Sequence, residues 1–200
     1  MPQPKATSRA LGPRFGDALA FAFEAHAAQR RKSKATPYVA HLLAVTALVI
    51  EHGGDEDTAI AALLHDAVED QGGKAMRERI RARFGERVAR IVDECTDADM
   101  VPKPPWRQRK IAYVGAVPHK SPEARLVSLA DKVHNAREIL DDYRQVGDAL
   151  WDRFNGGREG TLWYYRALAD AFRDHAPESL WHQLEHTVSE LERLAAARPA

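Results

Sequence analysis

Four residues of this chain have the types and the setting of ligands for a metal ion. His65 and Asp66 are adjacent within an otherwise apolar run, residues 61–68, and each carries a polar group that needs a partner when it is buried. His41 lies upstream and Asp131 downstream, and both follow apolar residues. A shared ion would satisfy all four, and a mixed set of nitrogen and oxygen ligands suits manganese, iron or zinc.

Each of these residues has a simpler interpretation when it is taken alone. A histidine in an apolar setting is usually a core residue with a hydrogen-bonded ring, and an isolated aspartate usually caps a helix or pairs with an arginine. The complete set favours the metal instead, because three separated helices would each direct a ligand inward. A hydrolytic metal site needs such fixed ligands together with an open position for water.

The composition narrows the functional classes. The 200 residues suffice for one domain with a sizeable core, and 44% of them are hydrophobic. A balance of 29 basic and 29 acidic residues argues against a broad nucleic-acid-binding surface and against a membrane-surface role. Cys95 is the only cysteine, which excludes an intramolecular disulfide and a cysteine-based zinc site. Because no apolar run approaches the ~20 residues of a membrane helix and residues 1–14 lack a signal-peptide core, we expect a cytoplasmic protein.

The chain is predicted to be an all-α, single-domain helical bundle. A flexible tail is expected over residues 1–13, followed by one domain over 14–197. The segment 56–70 is apolar on every side, which predicts a central helix, and a polar turn is expected over 152–160. Apolar spacing, caps and breakers predict helices at about 15–29, 37–51, 56–70, 74–84, 86–97, 106–117, 122–143, 161–175 and 178–197.

Three segments of the sequence resemble one known family. They are residues 31–41, which end in Thr-Pro-Tyr-Val-Ala-His, the string Leu-Leu-His-Asp-Ala-Val-Glu-Asp at 63–70, and Leu-Ala-Asp-Lys-Val-His-Asn-Ala-Arg at 129–137. Together they resemble the HD superfamily of metal-dependent phosphohydrolases, and especially the RelA/SpoT-type hydrolase domain and the stand-alone small alarmone hydrolases. The resemblance runs from about residue 18 to residue 140 and implies the helical HD-domain fold.

The resemblance also implies a reaction and residue roles. The implied enzyme removes the 3′-pyrophosphate of guanosine alarmones (ppGpp and pppGpp) by attack of a water bound to a divalent metal, most often Mn²⁺. The implied metal ligands are His41, His65, Asp66 and Asp131. Glu69 and Asp70 match the pair that positions or deprotonates the water, and their place one helical turn after the ligand pair agrees with that role. The implied substrate-binding residues are Arg31, Lys32 and Asn135.

Some positions depart from the family pattern and leave the substrate open. They are Ala35, Leu42, Lys132 and Glu138. An acidic Glu138 beside a polyphosphate would repel it, so another nucleotide, such as an adenosine alarmone or the 2′-phosphate of NADPH, is an alternative with the same chemistry.

A non-catalytic nucleotide sensor is an alternative of a different class, and the intact ligand set argues against it. The expected partner is a small nucleotide, with no nucleic acid and no membrane, and the sequence leaves the oligomeric state open. Residues 151–160 match nothing in the family pattern. Their aromatic and arginine content suits either a lid over a nucleotide or a packed turn.

Overall fold

The structure is a computed structural model that describes residues 10–32, 34–97, 102 and 104–197. These residues form an all-α bundle, as predicted, and their one β-type pairing is an isolated bridge between Arg30 and Pro37. Most of the predicted tail, residues 1–9, lies outside the described residues. In the described part of the chain, no helix combines the length and the apolar character that a bilayer crossing requires. The α-helices are α1 (Pro13–Ala25), α2 (Val39–Glu51), α3 (Glu56–Leu64), α4 (Ala67–Gln71), α5 (Gly73–Phe84), α6 (Glu86–Cys95), α7 (Trp106–Ala116), α8 (Pro122–Val146), α9 (Gly157–Phe172) and α10 (Glu178–Ala196).

Helix α3 occupies the centre of the bundle. Every residue from Thr58 to Leu64 is buried, and α1, α2, α6 and α8 all pack against this helix. A helix that is enclosed on all sides has no solvated face, which explains why its sequence is apolar all round. Asp55 caps its first turn, since the Asp55 carboxylate accepts a hydrogen bond from the Thr58 amide at 3.0 Å.

The predicted continuous helix over 56–70 is wrong, because the chain breaks at His65 and Asp66 between α3 and α4. Nδ1 of the His65 ring lies 2.9 Å from the carbonyl oxygen of Ala62, the acceptor that a continuous helix offers to the Asp66 amide. Consecutive side chains on a regular helix point about 100° apart. The break removes that constraint and allows His65 and Asp66 to face the same point.

Helix α8 is the longest element and carries several of the predicted site residues. Ser121 caps it as predicted, since the Ser121 hydroxyl accepts a hydrogen bond from the Ala124 amide at 3.3 Å. The helix ends at Val146, before Gly147 with φ of 60°, rather than near residue 143. It packs mainly against α10 and α2, and residues 131, 135 and 138 follow at one-turn spacing on the side that faces the predicted ligands.

Two predicted boundaries are corrected by tertiary contacts. The helix expected to begin at Pro37 begins at Val39, because Pro37 pairs with Arg30 and the Tyr38 amide donates to the Gln29 carbonyl at 3.1 Å. The polar turn expected over 152–160 is a 3-10 helix, Gly147–Arg153, followed by the start of α9 at Gly157. A Cβ atom at Gly156 would lie 2.6 Å from the Trp106 ring, so glycine there is required for α7 to pack on α9.

Candidate active site

The four predicted metal ligands meet at one point inside the bundle. His41 comes from α2, His65 and Asp66 from the break after α3, and Asp131 from α8. Ligand atoms of His41, His65 and Asp66 all lie within 4.8 Å of one another. Oδ1 of Asp131 lies 3.3 Å from Nε2 of His41 and 3.7 Å from Nε2 of His65. Three segments that are far apart in sequence therefore form one cluster of side chains that could hold a metal ion, which we call the metal-ligating cluster.

Both imidazoles are oriented with Nε2 toward the carboxylates. Nδ1 of His65 must carry the proton, because its partner at 2.9 Å is the Ala62 carbonyl oxygen, which can only accept. Nδ1 of His41 lies 2.9 Å from Nδ1 of His134. The His41 and His65 rings are only 1% and 4% exposed, and among the described residues neither Nε2 atom has a hydrogen-bond partner. Two buried ring nitrogens that face two carboxylates fit a divalent cation.

The carboxylates of the cluster are held by further side chains. The Tyr38 hydroxyl donates to Oδ2 of Asp66 at 2.5 Å. Lys132 donates to Oδ2 of Asp131 at 2.5 Å, and the Asn135 amide donates to Oδ1 of the same residue at 2.5 Å. Outer partners of this kind fix the orientation of metal ligands. This role of Tyr38 was not predicted from the sequence. The signal that could have suggested it is the position of Tyr38 three residues before His41, on the same side of the helix start.

The electrostatics of the cluster favour a positive charge at its centre. Burial by itself would raise the pKa of Asp66, but His65 and His41 hold it well below its usual value. The pKa of Asp131 is likewise held low despite burial, by Lys132 and the two imidazoles. Burial would lower the pKa of His65, yet Asp66 and Asp131 raise it well above its usual value. The carboxylates therefore stay ionised at neutral pH, as metal ligands must.

Replacing Tyr38 with phenylalanine is expected to weaken metal binding roughly 10- to 100-fold, the usual effect of losing an outer partner of a ligand. The ring is kept, and only the hydroxyl that holds Asp66 is lost. Competition with a calibrated chelator would measure the affinity. Tyr143→Phe is the matched control, because the Tyr143 hydroxyl bonds Asp148, away from the cluster, and this variant should bind metal like the wild type. Equal affinity in Tyr38→Phe and wild type would contradict the role.

Glu69 and Asp70 lie beside the cluster but have different surroundings. Glu69 lines a small cavity together with His65 and Asp66, and it accepts a hydrogen bond from the Asp97 amide at 3.4 Å. Asp70 instead accepts a hydrogen bond from the Gln29 side chain at 2.8 Å. Burial raises the pKa of Asp70, and the like charges of Asp66 and Glu69 add to this effect. The two carboxylates therefore approach the cluster from different sides.

A cleft of about 480 Å³ contains all three residues for which the sequence implied substrate binding. Arg31 enters it from the loop before α2, where Nη2 lies 2.6 Å from the Asn135 amide oxygen and Nε lies 2.9 Å from Glu138. The guanidinium also lies 5.6 Å from the centre of the Tyr38 ring. Lys32 reaches the Phe154 ring at 5.7 Å. Arg31, Lys32 and Asn135 thus share one cavity next to the metal-ligating cluster.

The segment that the family pattern did not explain supplies one wall of this cleft. Arg153 and Phe154 of this segment line the cleft, together with the preceding Leu150 and with Tyr165 from α9. The sequence of 151–160 is compatible with either a lid or a packed turn. Its first half contacts the cleft, and its second half begins α9 against Trp106. Composition alone could not separate these two halves.

Glu138 does not face the cleft as an isolated negative charge. Its carboxylate is paired with Arg31, and Lys34 lies 3.6 Å away. Burial would raise the pKa of Glu138, but Arg31 and Lys34 hold it below its usual value. The repulsion expected from sequence is therefore compensated, and the contact that Glu138 makes orients Arg31.

Comparison with known proteins decides the family. A model of the HD domain matches residues 18–162, which is well over half of the chain. This chain belongs to the HD domain family. The matched region of the HD domain includes all four residues of the metal-ligating cluster and, apart from Tyr165, the residues that line both cavities beside it.

Several curated relatives of this HD domain share one enzyme name. The Xenopus tropicalis guanosine-3′,5′-bis(diphosphate) 3′-pyrophosphohydrolase MESH1 is 44% identical over 126 residues, which cover 62% of this chain and 68% of the relative. The human protein of that name is 40% identical over 126 residues, which also cover 62% of this chain and 68% of the relative. A guanosine-3′,5′-bis(diphosphate) 3′-pyrophosphohydrolase of Aquifex aeolicus is 34% identical over 61% of this chain, but only 17% of that longer protein is covered.

Solved structures agree with the HD-domain fold. One solved structure superposes with a TM-score of 0.73 and 26% identity, covering 96% of this chain and 98% of that one. It is described as a metazoan ortholog of SpoT that hydrolyzes ppGpp and plays a role in starvation responses. A Listeria monocytogenes structure superposes with a TM-score of 0.68 and 25% identity, covering 76% of this chain and 99% of that one.

Proposed function

We propose that this HD domain is a metal-dependent hydrolase that removes the 3′-pyrophosphate from guanosine 3′,5′-bis(diphosphate) and its 5′-triphosphate counterpart. In this reaction the oxygen of water forms a bond to the phosphorus that carries the ribose 3′-oxygen. The bond between that phosphorus and the 3′-oxygen breaks, and the 3′-oxygen leaves with a proton. The products are guanosine 5′-diphosphate, or the triphosphate, and pyrophosphate.

The observation that carries the proposal is the cluster of His41, His65, Asp66 and Asp131 beside a nucleotide-sized cleft. These four residues would hold the divalent ion, and the names of the curated relatives supply the substrate class. What such an ion supplies when bound is Lewis-acid polarisation of a phosphoryl oxygen and a lower pKa for the attacking water. We infer manganese as the native ion, since the ligands are imidazoles and carboxylates without a thiolate.

The protein's own groups position the substrate and move the proton. Glu69 lies beside His65 and Asp66 and is our proposed acceptor for the proton of the attacking water. Asp70, next to Gln29, would orient that water from the other side. Arg31 is held rigidly by Asn135 and Glu138, and its flat guanidinium suits stacking on a purine.

A panel of nucleotides tests the proposed substrate. Manganese-loaded protein is incubated with guanosine 3′,5′-bis(diphosphate), its adenosine counterpart and NADPH, and the products are separated by ion exchange. We expect guanosine 5′-diphosphate and pyrophosphate in equal amounts, and no products from Asp66→Ala protein. Cleavage of NADPH without cleavage of any 3′-pyrophosphate would preserve the phosphohydrolase chemistry and refute the named substrate.

Arg31→Ala is expected to raise KM by roughly 3- to 30-fold with a smaller effect on kcat. The reason is that the cation–π contact between Arg31 and the purine is made equally in the ground state and in the transition state. Steady-state kinetics on the preferred nucleotide would measure both constants. Arg137→Ala is the control, since Arg137 is exposed on α8 and bonds Gln183 outside the cleft. A fall in kcat alone would contradict a role in ground-state binding.

The remaining inferences concern partners and place. We infer that a small nucleotide is the partner and that the cytoplasm is the compartment, with no nucleic-acid or membrane partner. The balanced charge of the chain, with formal net charge of zero, supports the absence of a nucleic-acid partner. The oligomeric state stays open.

A further inference from the structure

A second, smaller cavity adjoins the metal-ligating cluster and has cationic walls. It measures about 200 Å³ and shares no lining residue with the cleft, and we call it the lysine cavity. His65, Asp66 and Asp131 form the side that belongs to the cluster. The residues of the other walls that matter here are Glu69, Asp97, Arg109, Lys110, Tyr113 and Lys132. The cavity is smaller than the cleft, and the mechanism above uses only Glu69 from these walls.

Three cationic side chains, those of Arg109, Lys110 and Lys132, line the lysine cavity close to one another. Arg109 and Lys110 share a single carboxylate, Asp97, at 2.5 Å and 2.7 Å. Lys132 bonds Oδ2 of Asp131 at 2.5 Å. Burial lowers the pKa of Lys110, and the nearby charge of Lys132 lowers it further. Side-chain exposure of these cations is 14% to 17%, so solvent screens them little.

A fourth cation, Lys120, lies behind the wall of the cavity. It is only 8% exposed, and its ammonium lies 3.3 Å from the Ser128 hydroxyl and 3.9 Å from the centre of the Tyr113 ring. Ser128 and Tyr113 both line the cavity. Among the described residues no carboxylate pairs with Lys120. A buried ammonium without a counter-charge is costly unless an anion approaches it.

Among the described residues of this region, cationic side chains outnumber the carboxylates that remain once a divalent ion is counted. A divalent ion in the cluster would offset the charges of Asp66 and Asp131. Two carboxylates, Glu69 and Asp97, then remain against four cationic side chains. Tyr164, which does not line the cavity, packs its ring 5.0 Å from the Lys110 ammonium and has a buried hydroxyl without a hydrogen-bond partner among the described residues. The surplus of cations fits a compact, multiply charged anion.

We propose that the lysine cavity binds the distal phosphate of a ribose 3′-pyrophosphate, the phosphate that is not bonded to the ribose. This inference rests on the proposed function, because the nucleoside then occupies the cleft and the reacting phosphorus lies at the cluster between the two cavities. A substrate with a single phosphate on the ribose leaves the lysine cavity unfilled. The cavity therefore selects pyrophosphate esters over phosphate monoesters.

Lys120→Met tests the subsite by substrate preference. The substitution removes the buried charge and retains most of the volume. We expect the ratio of kcat/KM for guanosine 3′,5′-bis(diphosphate) to that for guanosine 5′-diphosphate 3′-monophosphate to fall roughly 10- to 100-fold, as for loss of a charge-assisted contact. Lys74→Met is the matched control, since Lys74 is exposed on α5 and should leave the ratio unchanged. Lys110→Gln, on the cavity wall, is the second variant if Lys120→Met does not fold.

A binding measurement separates this inference from the proposed function. In manganese-loaded wild-type protein and in Lys74→Met, inorganic pyrophosphate should raise the melting temperature more than orthophosphate, and Lys120→Met should lose that difference. Chelation of free manganese by pyrophosphate is the same in all three samples. If no 3′-pyrophosphate is cleaved but this Lys120-dependent shift persists, the subsite stands and the proposed function fails. If the alarmone is cleaved while both the ratio and the shift are unchanged in Lys120→Met and Lys110→Gln, the subsite is refuted.

Discussion

Asp66→Ala is expected to reduce bound metal from about one equivalent to almost none and to abolish turnover. Oδ2 of Asp66 lies 3.0 Å from Nε2 of His65 and 3.6 Å from Nε2 of His41, so the substitution removes a carboxylate oxygen that faces both imidazoles. The loss of activity should exceed the roughly 100-fold that follows removal of an outer partner. Elemental analysis and single-turnover kinetics on the same preparations would measure the two effects.

Thermal unfolding adds an independent readout of the metal. Because an ion that binds only the folded protein stabilises it, chelation should lower the melting temperature of the wild type and leave that of Asp66→Ala unchanged. Asp141→Ala is the matched control, since Asp141 is 65% exposed on α8 and, in the described part of the chain, pairs only with Arg144 at 3.5 Å. Fully active wild-type protein without any bound metal would overturn this account of the cluster.

Glu69→Gln is expected to retain the metal and to lower kcat by roughly 100-fold or more, the usual effect of removing a positioned acid–base group. Glutamine keeps the volume of the side chain and an oxygen that still accepts from the Asp97 amide. What it loses is the capacity to take a proton from water. Glu78→Gln is the control, because Glu78 is 52% exposed on α5 and pairs with Arg81.

Asp70→Asn tests whether Glu69 accepts the proton while Asp70 only orients the attacking water. Asparagine preserves an oxygen that accepts from Gln29, so a residue that only orients the water should tolerate this change better than Glu69 tolerates glutamine. Metal content must equal that of the wild type in both variants for the comparison to hold. Unchanged kcat in Glu69→Gln with the metal retained would remove Glu69 from the proton transfer and leave Asp70 as the alternative acceptor.

The sequence determined the helical class and indicated candidate ligands, because both follow from local patterns. Apolar spacing and caps located most helices to within a few residues, including α8 after Ser121. An imidazole next to a carboxylate in an apolar run already required a partner, and His41 and Asp131 were chosen from the same reasoning. Family resemblance added Arg31, Lys32 and Asn135, which share one cleft in the structure.

Only the tertiary structure decided how these side chains meet. The break at His65 depends on a ring nitrogen that competes for the Ala62 carbonyl, and helix periodicity carries no signal of that competition. The pairing of Glu138 with Arg31 joins residues 107 positions apart. The sequence therefore showed the negative charge of Glu138 but not that Arg31 neutralises it. Lys120 is an ordinary polar residue in the sequence, and its burial beside Tyr113 and Ser128 follows from the packing of helices that local patterns do not specify.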